Sequence, residues 1–483
     1  MSSYPILARD RTLASLPQEY PSDALAQITA LLSTSSPRRL VVLDDDPTGT
    51  QTCHNISVLT VWDIPTLKTE FLSSSAGFFI LTNSRALPPT AAETLIREIC
   101  TNVATAAAET GYKDQVDIVL RGDSTLRGHF PLEVDVAQDV FGTPVVDGWV
   151  LAPFFFQGGR YTIDDVHYVL EAGDQLVPAG ETQFAKDATF GYQSSNLRDY
   201  VREKAPGRFA DDQIHSVTLK DIRLGGPEGV CERLLGFSSG GVIIVNAAAE
   251  SDMHVFVAGL LLAEAKANKR YIYRTGAAFV STRLGIRSIP PITSTQLNLP
   301  QPRETGGLIL AGSYVPKTTA QLAHLTKTRG PDTLAVIEMD VNELIASAES
   351  ATRLIERVVE QTESNLRKGL DTLVMTSRGL VTGGDELESL AIGGRVAEAL
   401  VKVLEGVEVR PRFVIAKGGI TSSDAATKGL RMKRALIVGQ AAAGVPLWRC
   451  DEPTSRHRGV PFVVFPGNVG GESTLCDLVA SWS

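Results

Sequence analysis

Short apolar runs that end at Gly-rich or polar turns recur along the whole chain. In the first half they occupy residues 40–43, 78–81, 116–120, 149–152 and 242–245. In the second half they occupy residues 308–311, 334–337, 373–375, 413–416, 435–438 and 462–465. Apart from Asp117, the runs are apolar rather than alternating, which indicates strands buried on both faces of a mostly parallel sheet.

Segments with helical periodicity, such as residues 91–107 and 351–366, lie between these runs. Strands that alternate with helices predict an α/β protein. Residues 289–307 are rich in Pro, Thr and Gln, show no convincing periodicity and precede a fresh apolar run. A chain of 483 residues is also too long for one hydrophobic core. We therefore predict two domains, residues 1–295 and 303–483, each a mostly parallel sheet flanked by helices.

Composition narrows the class of protein. A hydrophobic fraction of 43% and a formal charge of −9 describe an acidic globular chain, which argues against nucleic acid as the main partner. No apolar stretch approaches the roughly 18 residues that a membrane span requires, so no membrane segment is expected. The five cysteines are scattered without a C-x-x-C pair, and the N-terminus lacks a secretory pattern. These features predict a cytoplasmic protein.

The residues that follow each run are informative because open α/β sheets bind ligands beyond the carboxyl ends of their strands. In the first half these residues read DDDPTGT, TNSR, RGDSTLRGH and PFFFQGGRYT. In the second half they read GSYVPKTT, TSRG, KGGITSSD and PGNVGGES. The first set mixes Asp and Arg with hydroxyl residues, whereas Gly, Ser, Thr and Lys dominate the second. The two halves therefore predict chemically different sites.

The turns of the second half indicate an anion site. Gly and hydroxyl residues allow backbone N–H groups to converge on an anion, and residues 312–319, 417–424 and 466–473 all have this composition. One such turn could be an ordinary strand-to-helix connection, but three in one domain favour a polyphosphate ligand. No G-x-G-x-x-G follows a strand, and residues 312–318 miss the P-loop pattern.

The turns of the first half suit a small hydroxy-acid. One of them, RGDSTLRG, brings together two arginines, an acid and two hydroxyl residues: Arg121, Asp123, Ser124, Thr125 and Arg127. A guanidinium group can bind a carboxylate through two hydrogen bonds, and Asp and hydroxyl groups complement a polyol. The alternative is an ion pair beside a helix cap. Arg160 follows two glycines, where the backbone can approach a ligand closely.

With these motifs assembled, the chain resembles the four-carbon acid sugar kinase family. Residues 44–49 resemble its A-D-D-x-T-G motif, residues 123–128 match D-S-T-L-R-G in full, and residues 153–160 are close to P-x-x-x-x-x-G-R. In the second half, residues 312–313, 418–421 and 465–470 are similar to the G-S, G-G-x-T/S and K-x-G-N-x-G motifs. Three residues depart from the family pattern: Asp44, Pro47 and Phe465.

The resemblance implies that the N-terminal domain holds a sugar acid of the threonate, erythronate or 3-oxo-tetronate type. It implies that the C-terminal domain holds ATP with Mg²⁺, and that the terminal hydroxyl is phosphorylated in an interdomain cleft. Catalytic roles fall to Asp45, Asp46 and Asp123, with either Asp45 or Asp46 as general base. The expected sugar-acid contacts are Thr48, Arg121, Ser124, Thr125, Arg127 and Arg160. The expected nucleotide contacts are Ser313, Lys417, Gly418, Gly419, Ile420, Thr421, Gly467, Asn468 and Gly470.

Other readings stay open at this stage. Asp44, Asp46 and Thr48 also fit the D-x-D-x-T pattern of haloacid dehalogenase-type phosphatases, in which Asp44 would be the nucleophile. Against this, Pro47 stands where Gly is typical, and no later Asp pair suits a metal motif. A sensor that binds a sugar acid without turnover is a third reading. The seven scattered His residues predict no metal site, and a homodimer is one candidate for the oligomeric state.

Overall fold

The computed structural model describes residues 4–34, 38–142, 146–312, 315–377 and 386–483, with side chains described from residue 392 onward in the last range. The chain forms two compact units. The first comprises Met1–Cys53 and Val61–Ser288, and the second comprises His54–Thr60 and Ile289–Ser483. A short piece of the first half of the sequence thus belongs to the second unit.

The strands are β1 Leu7–Ala8, β2 Arg39–Asp44, β3 Ile56–Leu59, β4 Gly77–Leu81, β5 Val116–Arg121, β6 Gly148–Ala152, β7 Arg160–Ile163, β8 Val166–Glu171, β9 Gln175–Pro178, β10 Ile214–Val217, β11 Gly241–Val245, β12 Tyr271–Thr275, β13 Leu308–Ala311, β14 Leu334–Met339, β15 Asp371–Thr376, β16 Val414–Lys417, β17 Arg434–Ala442, β18 Val445–Cys450 and β19 Pro461–Phe465. Every predicted apolar run falls on one of these strands, although the predicted run 413–416 begins one residue before β16.

The helices are α1 Arg9–Ser15, α2 Ala24–Thr34, α3 Ile64–Phe71, α4 Pro89–Glu109, α5 Leu132–Phe141, α6 Leu197–Lys204, α7 Leu219–Arg223, α8 Gly226–Leu235, α9 Glu250–Ala267, α10 Ala277–Arg283, α11 Pro316–Arg329, α12 Val341–Ala346, α13 Ala348–Arg367, α14 Glu386–Gly406, α15 Gly419–Asp424 and α16 Thr474–Trp482. Among the described residues, no helix has both the length and the apolar character needed to cross a membrane.

The main sheet of the first unit is parallel, in the strand order β10-β11-β6-β12-β5-β2-β4. Every residue of β4, β5, β6, β11 and β12 is buried, as the apolar runs predicted. A buried Val, Leu or Ile side chain stabilises the fold by about 1.5–3 kcal/mol. These strands therefore carry much of the core energy of the first unit.

The register of this sheet aligns the ends of its strands. Asp44 pairs with Leu81 on one side and with Arg121 on the other. Arg121 in turn pairs with Thr275, and Thr275 with Ala152. The segments that follow these residues therefore leave the sheet at one edge, where a ligand is expected. Beside this sheet the unit has a small antiparallel sheet in the order β1-β9-β8-β7.

The second unit has a mixed sheet in the order β3-β17-β18-β19-β16-β13-β15-β14. Strands β19, β16, β13, β15 and β14 are parallel, whereas β3, β17 and β18 are antiparallel to their neighbours. Residues of β17 alternate between buried and half-buried, which is typical of an antiparallel strand. The predicted α/β class with two mostly parallel sheets is confirmed. The apolar run 435–438 is an exception, because it lies in β17, which is antiparallel to both of its neighbours.

Helices cover these sheets through faces that the sequence predicts. Ser347 begins α13 by accepting a hydrogen bond from the Ser350 backbone N–H at 3.1 Å. The buried residues of α13 then recur every four positions, from Leu354 and Val358 to Leu366. α4 likewise buries Ile96, Ile99 and Val103 along one face, with further small residues between them. Both helices contain the segments predicted from periodicity.

Candidate active site

The acidic segment after β2 forms a short 3₁₀ turn, Pro47–Thr50. Asp46 caps this turn, because its Oδ1 accepts hydrogen bonds from the Thr48 backbone N–H at 2.9 Å and from the Thr48 hydroxyl at 2.6 Å. Pro47 occupies the first position of the turn, where its missing N–H costs nothing and its fixed φ angle suits the geometry. Pro47, a departure from the family pattern, is therefore compatible with the turn that Asp46 begins.

Asp44 lies underneath this turn. Its side chain is fully buried, and a Cβ atom at Gly49 would overlap its carboxylate. Burial raises the pKa of Asp44 to about 8, even though Arg121 Nη1 lies 3.4 Å from its Oδ1 and favours the charged form. A carboxyl group in this position is largely protonated at neutral pH and is screened from a ligand. The geometry gives no support to Asp44 as a phosphatase nucleophile.

Asp45 points toward two arginines without hydrogen-bonding to either. Its Oδ1 lies 3.8 Å from Arg121 Nη1 and 3.9 Å from Arg85 Nη1, and the residue is 3% exposed. Neither carboxylate oxygen accepts a hydrogen bond from any residue that the structure describes. Buried carboxylates normally have such partners. Asp45 therefore keeps two acceptor atoms that no described residue uses, and both are shielded from solvent in this structure.

Arg85 lies at the centre of the acidic cluster, although its role was not predicted. It follows β4 in the turn Ser84–Ala86 and donates a hydrogen bond to Asp46 Oδ2. Its Nη1 also lies 4.0 Å from Asp123 Oδ1. Burial alone would raise the pKa of Asp46, but Arg85 and the hydrogen bonds from Thr48 bring it below its ordinary value. Asp46 is therefore ionised and fully hydrogen-bonded.

The motif 122–128 folds back on itself around Asp123. Asp123 Oδ2 accepts hydrogen bonds from the Thr125 hydroxyl and from Arg127 Nε, the latter at 2.7 Å. Burial opposes ionisation of Asp123, but Arg85 and Arg127 together hold its pKa well below the usual range. Oδ2 of Asp123 is therefore occupied by protein donors, whereas Oδ1 lies 4.0 Å from Arg85 Nη1 and accepts no hydrogen bond from a described residue.

The two glycines of this motif make room for Arg274, which the sequence reasoning also missed. A Cβ atom at Gly122 would overlap the Arg274 guanidinium, and one at Gly128 would lie 2.8 Å from its Nη2. Gly128 also has a φ angle of 122°, which disfavours other residues. Arg274 Nη2 donates a hydrogen bond to the Arg127 carbonyl at 3.1 Å. Arg274 therefore holds the loop from within.

Buried donors fix the rest of the loop from outside. His167 Nε2 contacts the Ser124 carbonyl at 2.7 Å, and the Tyr192 hydroxyl donates to the Thr125 carbonyl, also at 2.7 Å. The side chains of Ser124, Thr125 and Arg121 are buried. These three predicted substrate contacts therefore support the site rather than line it. Four other predicted site residues are half-buried: Thr48, Asp123, Arg127 and Arg160.

Arg127 and Arg160 share one aromatic ring. Their Cζ atoms lie 5.2 and 5.6 Å from the ring centroid of Phe184. Arg127 pairs with Asp123 and lies 3.6 Å from Asp187, whereas Arg160 forms no ion pair with any described residue. Burial, and then the charge of Arg127, lower the pKa of Arg160. An unpaired guanidinium beside a second one is a favourable place for a carboxylate. Phe184 and Asp187 belong to a segment in which no function was predicted.

In the second unit, three predicted turns follow three adjacent strands. Lys417 of β16 pairs with Ala311 on one side and with Phe465 on the other, so the segments after them leave the sheet together. The Gly418 backbone N–H donates to the Phe465 carbonyl at 2.8 Å, and Thr318 Oγ1 donates to the Gly467 carbonyl at 3.1 Å. The structure thus brings these turns together, while Ser313 lies outside the described residues.

The loop after β19 is held by α11. Gln321 Nε2 donates to the Val469 and Gly471 carbonyls at 3.0 and 2.8 Å. Gly418 and Gly470 have φ angles of 113° and 82°, which require glycine and leave the backbone uncovered by a Cβ atom. Ile420 is 64% exposed next to them. Glycine-rich turns of this kind are typical of sites at which backbone N–H groups bind an anion.

Lys417 is buried beneath these turns. Its Nζ donates to the Pro466 carbonyl and lies 4.1 Å from the ring centroid of Phe465. Burial, and then the charge of Lys317, lower the pKa of Lys417 to about 7. Among the described residues it has no acidic partner. The ammonium group therefore lies directly beside Phe465, the position at which the family pattern has a lysine.

Comparison with known proteins agrees with this division into two sites. Residues 40–283 match the family model of a sugar-binding N-terminal domain, and residues 308–475 match that of a nucleotide-binding C-terminal domain. No curated protein matches the chain significantly. A protein of Salmonella typhimurium LT2, provisionally described as a tRNA synthase, is 15% identical with a TM-score of 0.64, over 92% of this chain and 98% of that one. A Haemophilus influenzae protein is 18% identical with a TM-score of 0.59, over 91% of this chain and 99% of that one.

The structural neighbours show the fold alone at this level of identity. The two family models define the class, a protein with a sugar-binding domain followed by a nucleotide-binding domain. The chain belongs to the four-carbon acid sugar kinase family. The predicted resemblance is thereby confirmed, and it indicates a kinase-like enzyme.

Proposed function

We propose that the protein uses ATP to phosphorylate the terminal hydroxyl of a four-carbon sugar acid of the threonate, erythronate or 3-oxo-tetronate type. One observation carries the proposal: Asp45, in the sugar-binding domain, keeps free acceptor atoms beside a cluster of arginines. The same chain has a nucleotide-binding domain. Phosphoryl transfer depends mainly on alignment and charge neutralisation, with a carboxylate to orient the hydroxyl. Its predicted location in an interdomain cleft stays a prediction.

The carboxylate end of the substrate is assigned to Arg160 and Arg127. Arg160 has no ion-pair partner among the described residues, and Phe184 holds both guanidinium groups against one ring. A charge-assisted hydrogen bond to a carboxylate contributes about 1.5–3 kcal/mol. Asp123, which pairs with Arg127, and Thr48, which binds Asp46, are half-buried and are the side chains suited to the substrate hydroxyls.

The general base is assigned to Asp45. Asp46 uses its oxygens to cap the turn and to bind Arg85, and Asp123 uses Oδ2 to bind Thr125 and Arg127. Asp45 has no such hydrogen bonds, so it can accept one from the substrate without breaking another. The role of Asp46 is then to cap the turn next to Asp45.

The nucleotide is assigned to the three turns of the second unit, whose residues fit a polyphosphate. Gly418 and Gly470 have positive φ angles that favour glycine, and Lys417 is a buried amine without an acidic partner among the described residues. Mg²⁺ arrives on the ATP phosphates as part of the substrate and neutralises their charge. Ser313, Gly419, Ile420, Thr421, Gly467 and Asn468 complete the proposed nucleotide contacts.

The test is an ADP-release screen with ATP and a set of four-carbon acids, combined with the mass of the phosphorylated product. Asp45→Asn should lower kcat by about 100-fold or more, as expected for loss of a base. Its thermal midpoint should stay near that of the wild type because no protein hydrogen bond is lost. Asp46→Asn is the matched comparison and should also lower the thermal midpoint.

Several outcomes would overturn the proposal. Normal turnover by Asp45→Asn would remove Asp45 as base. Phosphate release without ATP would indicate a phosphatase, and sugar-acid binding without ADP formation would indicate a sensor. A signal with another polyol acid, but none with four-carbon acids, would move the substrate assignment.

A further inference from the structure

The turn that carries Arg85 is held by a network of buried polar groups. The Thr82 hydroxyl and backbone N–H donate to the Asp44 carbonyl at 3.0 and 2.9 Å. The Ser84 hydroxyl donates to Glu133 Oε1 at 2.6 Å. His129 Nε2 contacts the Ser84 carbonyl at 3.1 Å. Four buried polar residues thus fix the backbone on both sides of one half-buried arginine.

The position of Asn83 adds to this geometry. Its φ angle of 53° places it in the left-handed region, which turns the chain sharply between β4 and Arg85. The His129 ring also contacts the Leu87 carbonyl at 3.0 Å, where the turn ends. The backbone is therefore shaped to aim the Arg85 side chain, which is 20% exposed, at the carboxylates.

The Arg85 guanidinium lies between carboxylates from two separate segments. It donates to Asp46, and it lies within 4.0 Å of an oxygen of both Asp45 and Asp123. Three negative charges so close together would repel one another in a site of low dielectric constant. One guanidinium that reaches all three removes much of this repulsion.

We propose that Arg85 is a positioning residue of this site: its guanidinium holds the carboxylates of Asp45, Asp46 and Asp123 together and offsets their mutual repulsion. The expected effect of Arg85 on catalysis rests on the proposed kinase function. The electrostatic role depends only on the geometry of the first unit. Phosphoryl transfer needs an ionised Asp45 to accept the hydroxyl proton, so loss of Arg85 should impair catalysis through the carboxylates.

Asp46 depends on Arg85 more than Asp45 and Asp123 do. The other charged groups that act on the three carboxylates are Asp44, Arg121, Arg127, Glu133 and Arg160. Arg121 lies 3.8 Å from Asp45 as well as 3.4 Å from Asp44, and Arg127 contacts Asp123. Asp46 forms an ion pair with Arg85 alone among the described residues. Removing Arg85 should therefore leave Asp46 without its counter-ion.

The first test is thermal unfolding from pH 4 to pH 8. Arg85→Met keeps much of the volume and removes the charge, and Arg85→Lys restores the charge. Arg85 helps to lower the pKa of Asp46 and Asp123 below their ordinary values, so the stability that these carboxylates contribute once the pH exceeds their unfolded pKa should be reduced when Arg85 is removed. The deficit of Arg85→Met should grow with pH, and that of Arg85→Lys should be smaller. Arg97→Met, at an exposed arginine of α4 that pairs with Glu93 and Asp139, should show no such trend.

The second test is the pH dependence of ADP release. The acid limb of kcat should move up by about one pH unit or more in Arg85→Met, with the KM for ATP unchanged. A deficit in stability that does not change with pH, or an unmoved acid limb in a folded variant, would overturn the role of Arg85. If the wild type releases no ADP, the kinase proposal fails, whereas the thermal series still decides the inference about Arg85.

Discussion

Gly122 should tolerate no side chain as long as Arg274 is present. A Cβ atom at residue 122 would overlap the guanidinium of Arg274, which is 5% exposed and has little space to move. Gly122→Ala must therefore push the guanidinium away from the Arg127 carbonyl, to which it donates at 3.1 Å. Loss of that charge-assisted hydrogen bond costs about 1.5–3 kcal/mol, and overpacking costs about 1–3 kcal/mol. We expect a total of about 3–5 kcal/mol.

The assay is urea unfolding of a double-mutant cycle. Arg274→Ala alone should destabilise the protein, because it leaves the loop carbonyls without their donor. In that background Gly122→Ala should cost much less, since the overlapping group is gone, and the coupling should be about 1–3 kcal/mol. Gly229→Ala in α8 is the matched control, because a Cβ there meets only one atom at an ordinary 3.6 Å. A cost of Gly122→Ala that is unchanged by Arg274→Ala would refute the reasoning.

Two further predictions concern ligands. Lys417 has a folded pKa of about 7, below its unfolded value of 10.5, so stability should rise between pH 7 and 10, because there the unfolded chain binds a proton that the folded chain does not. ATP binding at pH 8 should be accompanied by proton uptake, measured by calorimetry in two buffers, and Lys417→Met should abolish both effects. Phe184→Leu removes the ring shared by two guanidinium groups, so the KM for the sugar acid should rise about threefold to tenfold with kcat little changed. An unchanged KM with reduced kcat would contradict that role.

The local sequence pattern was sufficient to predict most of the buried parallel strands and the motifs that follow them. A parallel strand buried on both faces is apolar at most positions, as the run before Asp44 shows. Strand β5 is also buried throughout, although it contains Asp117, which pairs with Arg38 and Arg283. Strand β12 was missed because Tyr and Arg interrupt its apolar residues, although all five positions are buried. Its last residues include Arg274, so the partner of the two glycines was missed with it.

Residues 54–60 illustrate a different limit. Strand β3 pairs with β17, from Ile56 opposite Ile437 to Leu59 opposite Arg434, and so joins the second unit. Nothing in the composition of four apolar or small residues indicates which of two sheets they will join. Strand pairing is decided by contacts between segments distant in sequence, and no local preference encodes them.

By itself, the sequence determined the α/β class, the family and the loops at the strand ends, because each follows from a local run of residues. Only the tertiary structure decided how the three adjacent aspartates differ. Asp44 is buried and largely protonated, Asp46 caps a turn, and Asp45 keeps free oxygens. These differences arise from Arg85, Arg121 and Gly49, whose positions around the carboxylates depend on the folding of separate segments. Burial and charge at a carboxylate are properties of its surroundings, so identical residues acquire different chemistry only when the chain has folded.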